Sequence, residues 1–113
     1  MHELALSQGM IDVVCQQAIA DGARRVRRVR IAIGALCSVE PNAIEFCFDA
    51  VSRGTLAEGA VLEIDRPPGR AHCLACDRVV TIAGRDQPCP LCRGHRWVLV
   101  GGEDLRVLEL EVE

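Results

Sequence analysis

The sequence predicts an α+β fold, two helices on a three-stranded sheet, interrupted by a small cysteine-bearing insertion. Three observations carry this. Two segments repeat apolar residues at helical spacing. Three segments alternate like half-buried strands. Between the second and third of those strands lie two short cysteine pairs, Cys73-Leu-Ala-Cys76 and Cys89-Pro-Leu-Cys92.

Residues 4–20 read as the first helix, with Leu4, Ile11, Val14, Cys15, Ala18 and Ile19 at helical spacing and Asp21-Gly22 as its stop. Residues 26–36 read as a strand. Val29, Ile31 and Ile33 point one way, and Arg28, Arg30 and Ala32 the other. Residues 41–53 read as the second helix. Pro41 suits its first turn, Ile44, Cys47, Phe48 and Val51 form its apolar stripe, and Gly54 ends it. Residues 60–66 form a short strand with Leu62 and Ile64 opposite Glu63 and Asp65, and Pro67-Pro68-Gly69 breaks it. Inside the insertion, Val79 to Ile82 and Trp97 to Val100 are the expected strands, and Gly101-Gly102 is the expected exit hinge. In the last strand, 105–113, Leu108, Leu110 and Val112 alternate with Glu109, Glu111 and Glu113. Leu105 and Val107 are out of phase with that set, which predicts a bulge or twist. The chain therefore divides into an α/β domain, 1–69 with 102–113, and a module at 70–101.

The four cysteines have the spacing C-x2-C-x12-C-x2-C. Each pair lets two thiolates reach one ion from a single tight turn, and two such turns supply the sulfur tetrahedron that Zn²⁺ takes in structural sites. The module is thus expected to be zinc-ribbon-like, with Cys73, Cys76, Cys89 and Cys92 as ligands. A four-sulfur site is closed to substrate, so it builds a fold and does no chemistry. Cys15, Cys37 and Cys47 are scattered and read as buried small apolar residues.

Composition narrows the function classes. Half of the 113 residues are apolar, yet only Phe46, Phe48 and Trp97 are aromatic. The net charge is −3, with thirteen arginines and no lysine, and the isoelectric point of about 5.6 speaks against a general nucleic-acid binder. No signal peptide or membrane-length apolar run is visible, and seven cysteines with two CxxC pairs fit a reducing, cytoplasmic setting. There is no Ser/His/Asp set, Gly-rich phosphate loop or H-E-x-x-H motif, so no catalytic residues are expected and the chain does not read as an enzyme. Arg24, Arg25, Arg27, Arg28 and Arg30 could form a nucleic-acid patch, the basis of the alternative reading as a zinc-ribbon nucleic-acid-binding protein. The favoured reading is a solvated strand face paired with Glu63, Asp65, Glu109 and Glu111.

His2 alone reads as a solvated terminal residue. A sharper reading exists. A bulky second residue hinders removal of Met1, and the Met1 α-amine, the His2 amide nitrogen and the His2 imidazole can chelate one metal in fused rings. Such a nitrogen set suits Ni²⁺ or Cu²⁺, and Glu3 adds a carboxylate. The first helix presents Gln8, Asp12 and Gln16 outward beside that site as a candidate docking face.

Met1-His2-Glu3-Leu4-Ala5-Leu6, then Val39-Glu40-Pro41, then the two CxxC pairs, resemble the HypA/HybF family of hydrogenase nickel-incorporation proteins. The resemblance runs end to end and includes the Gly54-Thr55-Leu56 turn and the acidic final strand. It implies a nickel metallochaperone with Ni(II) as transient cargo at His2, assisted by the neighbouring backbone and Glu3, and structural Zn(II) on the four cysteines. It implies delivery to the [NiFe] hydrogenase large subunit precursor, with a GTP-hydrolysing accessory protein as second partner. No nucleic acid or membrane is expected as partner, and the two linkers would permit a homodimer by module exchange. Two departures stand out. Asp77 and Arg93 hold the positions after the second cysteine of each pair, where glycine is frequent, and the turn after Cys92 is expected to differ in shape. His72 and His95 flank the cysteines and read first as exposed neighbours, with hydrogen-bond donors to the ligands or alternate zinc ligands as the other readings.

Overall fold

The protein is described from a computed structural model covering residues 2–113. Helix α1 spans Glu3–Ala20 and α2 spans Pro41–Ser52. The strands are β1 Val26–Ile33, β2 Val61–Asp65, β3 Gly69–Cys73, β4 Arg78–Ile82, β5 Trp97–Gly101 and β6 Leu105–Val112. They form two three-stranded sheets, ordered β2-β1-β6 and β4-β3-β5. The expected α+β architecture is present, and the cysteine segment is inserted between β2 and β6.

The chain forms two compact units. The first comprises residues 1–31, 39–64 and 107–113. The second comprises 32–38 and 65–106 and so reaches beyond the cysteine segment on both sides. In the first unit Met10, Ile11, Val14 and Ala18 of α1 and Ile44, Cys47 and Phe48 of α2 are buried, as are Val26, Val29 and Ile31 of β1. Ile11, Val14 and Ala18 belong to the expected stripe of α1, but Leu4 and Ile19, read with it, are exposed, and Met10 and Ser7 are buried in their place. Pro41 opens α2, and the Glu40 carboxylate caps it by accepting the Asn42 N–H. Among the described residues no helix is long and apolar enough to cross a membrane.

The arginine run of β1 is neutralised within the sheet. The Arg28 guanidinium meets Glu63 at 2.6 Å, Glu109 at 3.0 Å and Glu111 at 3.4 Å, and Arg25 and Arg27 both reach Glu113. Arg28 is only 28% exposed, and these carboxylates raise its pKa further. A cation shared among three carboxylates leaves little field for a phosphate backbone, which counts against the nucleic-acid alternative. In β6 the alternation breaks: Leu105, Val107 and Leu110 are half-buried, while Leu108 and Val112 are exposed.

Two features of the second unit differ from the sequence reading. The residues Gly69–Cys73 form β3, the central strand of the small sheet, where no strand was expected. It pairs antiparallel with β4 (Ala71 opposite Val80) and with β5 (Ala71 opposite Leu99). Its buried residues are Gly69, Ala71 and Cys73, too small to read as an apolar face. The first strand also ends at Ile33, short of the expected 36. Beyond it the N–H groups of Gly34, Ala35 and Leu36 donate to the carbonyls of Asp104, Pro67 and Gly102 at 2.8 to 2.9 Å. The Gly101-Gly102 pair is accordingly a packed crossing. Gly102 has φ of +84°, and a side chain there would strike the Pro68 carbonyl and the Gly69 backbone.

Candidate metal centres

The cysteine cluster is built by two turns of the same shape. Asp77 N–H donates to Cys73 O at 2.9 Å, and Arg93 N–H donates to Cys89 O at 2.8 Å. Each turn closes on a left-handed residue, Asp77 with φ of 55° and Arg93 with φ of 65°. The expectation that the second turn would differ is therefore not met: Arg93 adopts the conformation that glycine supplies cheaply elsewhere. A non-glycine residue there costs about 1–2 kcal/mol, less the chain entropy that glycine would lose on folding. Arg93→Gly should stabilise the zinc-loaded unit by about 0.5–1 kcal/mol, measured as a higher denaturant midpoint. Asp77→Gly should gain less, because Asp77 also holds His72 Nε2 at 2.8 Å.

The four sulfurs lie within 4.8 Å of one another, with Cys73 to Cys92 at 3.5 Å and Cys76 to Cys89 at 3.9 Å. A disulfide needs about 2.05 Å. A zinc tetrahedron with about 2.3 Å bonds needs edges near 3.8 Å. The donor set and its spacing thus fit a tetrahedral thiophilic ion. Cys73 and Cys89 are fully buried, and Cys92 is exposed.

The thiols differ in acidity. The Cys76 N–H holds the Cys73 thiol down at about 6, helped by the N–H of Ala75. Burial pushes Cys76 up to about 12, reinforced by the Cys73 sulfur. At Cys92 the Gly94 N–H pulls downward, but the Cys73 sulfur and burial outweigh it and the net shift is upward. The backbone N–H groups of this turn thus favour the thiolate at Cys73, and the protons of the cluster leave as a cation arrives.

The ion would also organise the second unit. Its buried core is Ala71, Cys73, Val80, Ile82 and Cys89, with Leu36, Cys76, Trp97 and Leu99 packed against it. Two of the five buried residues are candidate sulfur ligands. Trp97 Nε1 donates to Gln87 O at 2.9 Å and fastens β5 to the loop before Cys89.

At the other candidate centre, Met1 lies outside the described residues. His2 is 57% exposed and its carbonyl accepts the Leu6 N–H at 2.9 Å, so its backbone is fixed at the start of α1. Glu3 is only 13% exposed, with Oε1 at 3.7 Å from His2 Nδ1. The Glu3 carboxyl sits below its ordinary pKa because its own N–H and that of Glu40 donate to it. The Glu40 link ties the start of α1 to the start of α2. It was not foreseen, because nothing local in either segment marks it.

The family described as "Hydrogenase/urease nickel incorporation, metallochaperone, hypA" matches residues 1–112. The hydrogenase maturation factor HypA of Azotobacter vinelandii is 47% identical over 113 residues, the whole of both chains. That of Rhodopseudomonas palustris (strain TIE-1) is 49% identical over the same span. The solution structure of the Ni metallochaperone HypA from Helicobacter pylori superposes with a TM-score of 0.73 at 22% identity, covering 99% of this chain and 97% of that one. This last likeness bears on the fold. The fold and its four-cysteine centre define a small metal-handling accessory protein. The chain belongs to the HypA family of nickel-incorporation metallochaperones, which are hydrogenase maturation factors and not enzymes.

Proposed function

We propose that this chain captures one Ni(II) at its amino terminus and delivers it to the large subunit precursor of a [NiFe] hydrogenase, in cooperation with a GTP-hydrolysing accessory protein in the cytoplasm. The ligands are the Met1 α-amine, the His2 amide nitrogen and the His2 imidazole, with Glu3 assisting. Zn(II) occupies Cys73, Cys76, Cys89 and Cys92 as a structural ion. The nickel domain is 1–69 with 102–113, and the zinc module is 70–101.

The observation that carries the reading is the placement of His2, with its ring exposed and its backbone anchored by Leu6 N–H. The first N–H groups of a helix have no intrahelical acceptor, so the His2 amide is free to serve as a ligand without breaking a helical bond. The positive end of the α1 dipole opposes a cation there, and the Glu3 carboxylate offsets it. The balance favours a site that holds nickel and also releases it. A carboxylate- and nitrogen-ligated ion moves readily to a thiolate-rich acceptor.

The test is transfer. Nickel-loaded protein mixed with metal-free large subunit precursor and the GTPase should lose its nickel to the precursor while zinc stays with the chain. Nickel that remains on the chain, or transfer no faster than from free buffer, would contradict the proposal.

A further inference from the structure

Resting on that reading, we infer that Phe46 on α2 is the anchor by which this chain docks to the protein that receives its nickel, and that the receiving surface is an apolar socket rimmed by arginine or lysine. Phe46 is 77% exposed in a chain with only three aromatic residues. The buried stripe of α2 runs through Ile44, Cys47 and Phe48, and Phe46 falls off it. Phe46 is the most exposed of the large apolar side chains described. Exposed aromatic rings are the typical centres of docking surfaces, since they bury much area for little lost freedom.

The charge around the ring selects the partner. Residues 2–23 and 39–60, which hold both helices, carry seven carboxylates and one arginine, Arg53. That arginine is already paired with Asp49 at 3.0 Å. The carboxylates on the sheet face, by contrast, are taken by the β1 arginines. The acidic excess therefore sits with the helices, and Glu45 and Asp49 lie beside Phe46. Such a surface steers a basic partner and repels an acidic one.

Position ties the anchor to the cargo. The Glu40 N–H donates to the Glu3 carboxylate, so α2 starts beside the nickel-binding end of α1. Phe46 lies six residues further on, about 9 Å along the helix at 1.5 Å per residue. An interface of ordinary size, about 800 Å² per partner, centred on Phe46 would include His2. Docking there would bring the acceptor's ligands to the metal. The Gln8, Asp12 and Gln16 face of α1 offers only polar contacts, and Gln8 already bonds Asp12 at 3.0 Å.

The experiment measures binding of the full chain to the hydrogenase large subunit precursor and to the accessory GTPase, each purified. Phe46→Ala should weaken the complex with the large subunit precursor at least about tenfold, and Phe46→Trp should retain it. Glu45→Arg with Asp49→Arg should slow association and flatten its salt dependence. Nickel and zinc content should be unchanged in all three, because the substituted side chains are exposed. If Phe46→Ala binds the precursor as tightly as the wild type while nickel transfer proceeds, the anchor is wrong and the chaperone reading stands, whatever happens to the GTPase complex. If Phe46→Ala instead dissociates a dimer of this chain in sedimentation, the occupant is a second copy and the inference fails. If the wild type binds neither protein and transfers no nickel, the proposed function fails, and this inference with it.

Discussion

Cys89→Ala should cost the second unit its fold and leave the first unit standing. Cys89 is fully buried and is one of five residues in that unit's core, two of which are candidate sulfur ligands. The apolar remainder is Ala71, Val80 and Ile82, too little to hold three five-residue strands together. Binding of Zn²⁺ by such a set is worth about 10–16 kcal/mol and is in effect folding free energy. Three sulfurs without the fourth lose most of it. Amide exchange over residues 69–101 should rise to nearly unprotected rates and zinc should fall well below one per chain. Protection of Ile11, Val14 and Ile44 should persist, because the first unit has its own buried residues. A strong chelator on the wild type should give the same pattern reversibly. Unchanged exchange over 69–101 in Cys89→Ala would refute the structural role of the ion.

His2→Ala should abolish stoichiometric nickel binding with no effect on zinc. The mutation removes the imidazole, which is half-exposed and contributes little to packing. Even changes in the shell around metal ligands lower affinity by about 10–100-fold, so loss of a ligand should exceed about a hundredfold. Two residues added before Met1 should weaken binding too, since the α-amine then becomes an amide. Glu3→Gln should act less directly. It keeps the hydrogen bond from Glu40 but removes the charge that offsets the helix end, so nickel should bind more weakly and still bind. Isothermal titration of the variants separates these outcomes. Full affinity in both His2→Ala and the extended chain would rule out the amino-terminal chelate.

How much of this was legible depended on how local each signal is. The two helices were readable because their apolar residues recur every three to four positions along one chain segment, and their ends fell within one residue of the expected ones. The cysteine cluster was readable because ligand type and spacing encode the turn directly. The strand β3 was not, since Gly69-Arg-Ala-His-Cys73 hides its core face behind Ala71 and a metal ligand. Gly34 to Leu36 read as more strand, because the apolar run continues there. Their hydrogen bonds go to residues more than thirty positions away, and a sequence pattern cannot show that. The Glu3–Glu40 bond is hidden for the same reason. Phe46 was overlooked although the signal was present: it lies next to the stripe formed by Ile44, Cys47 and Phe48 and off its axis, which is where a ring with a partner would be placed.

The pairing of Arg28 with Glu63, Glu109 and Glu111 shows the converse. Five arginines in seven residues look like an electrostatic device, yet most of their charge is spent on holding the sheet's polar face. The acidic excess left on the helices is the more informative pattern, because Arg53 is the one arginine set against seven carboxylates there.

The central claim is that one chain holds two metals in two chemically different sites. The most direct test is elemental analysis of the purified full chain after addition of excess Ni²⁺ and removal of free metal. The account predicts one zinc and one nickel per chain, with the nickel alone removed by a mild competitor such as glycine. Zinc lost in proportion to nickel gained, or no nickel retained at all, would contradict it.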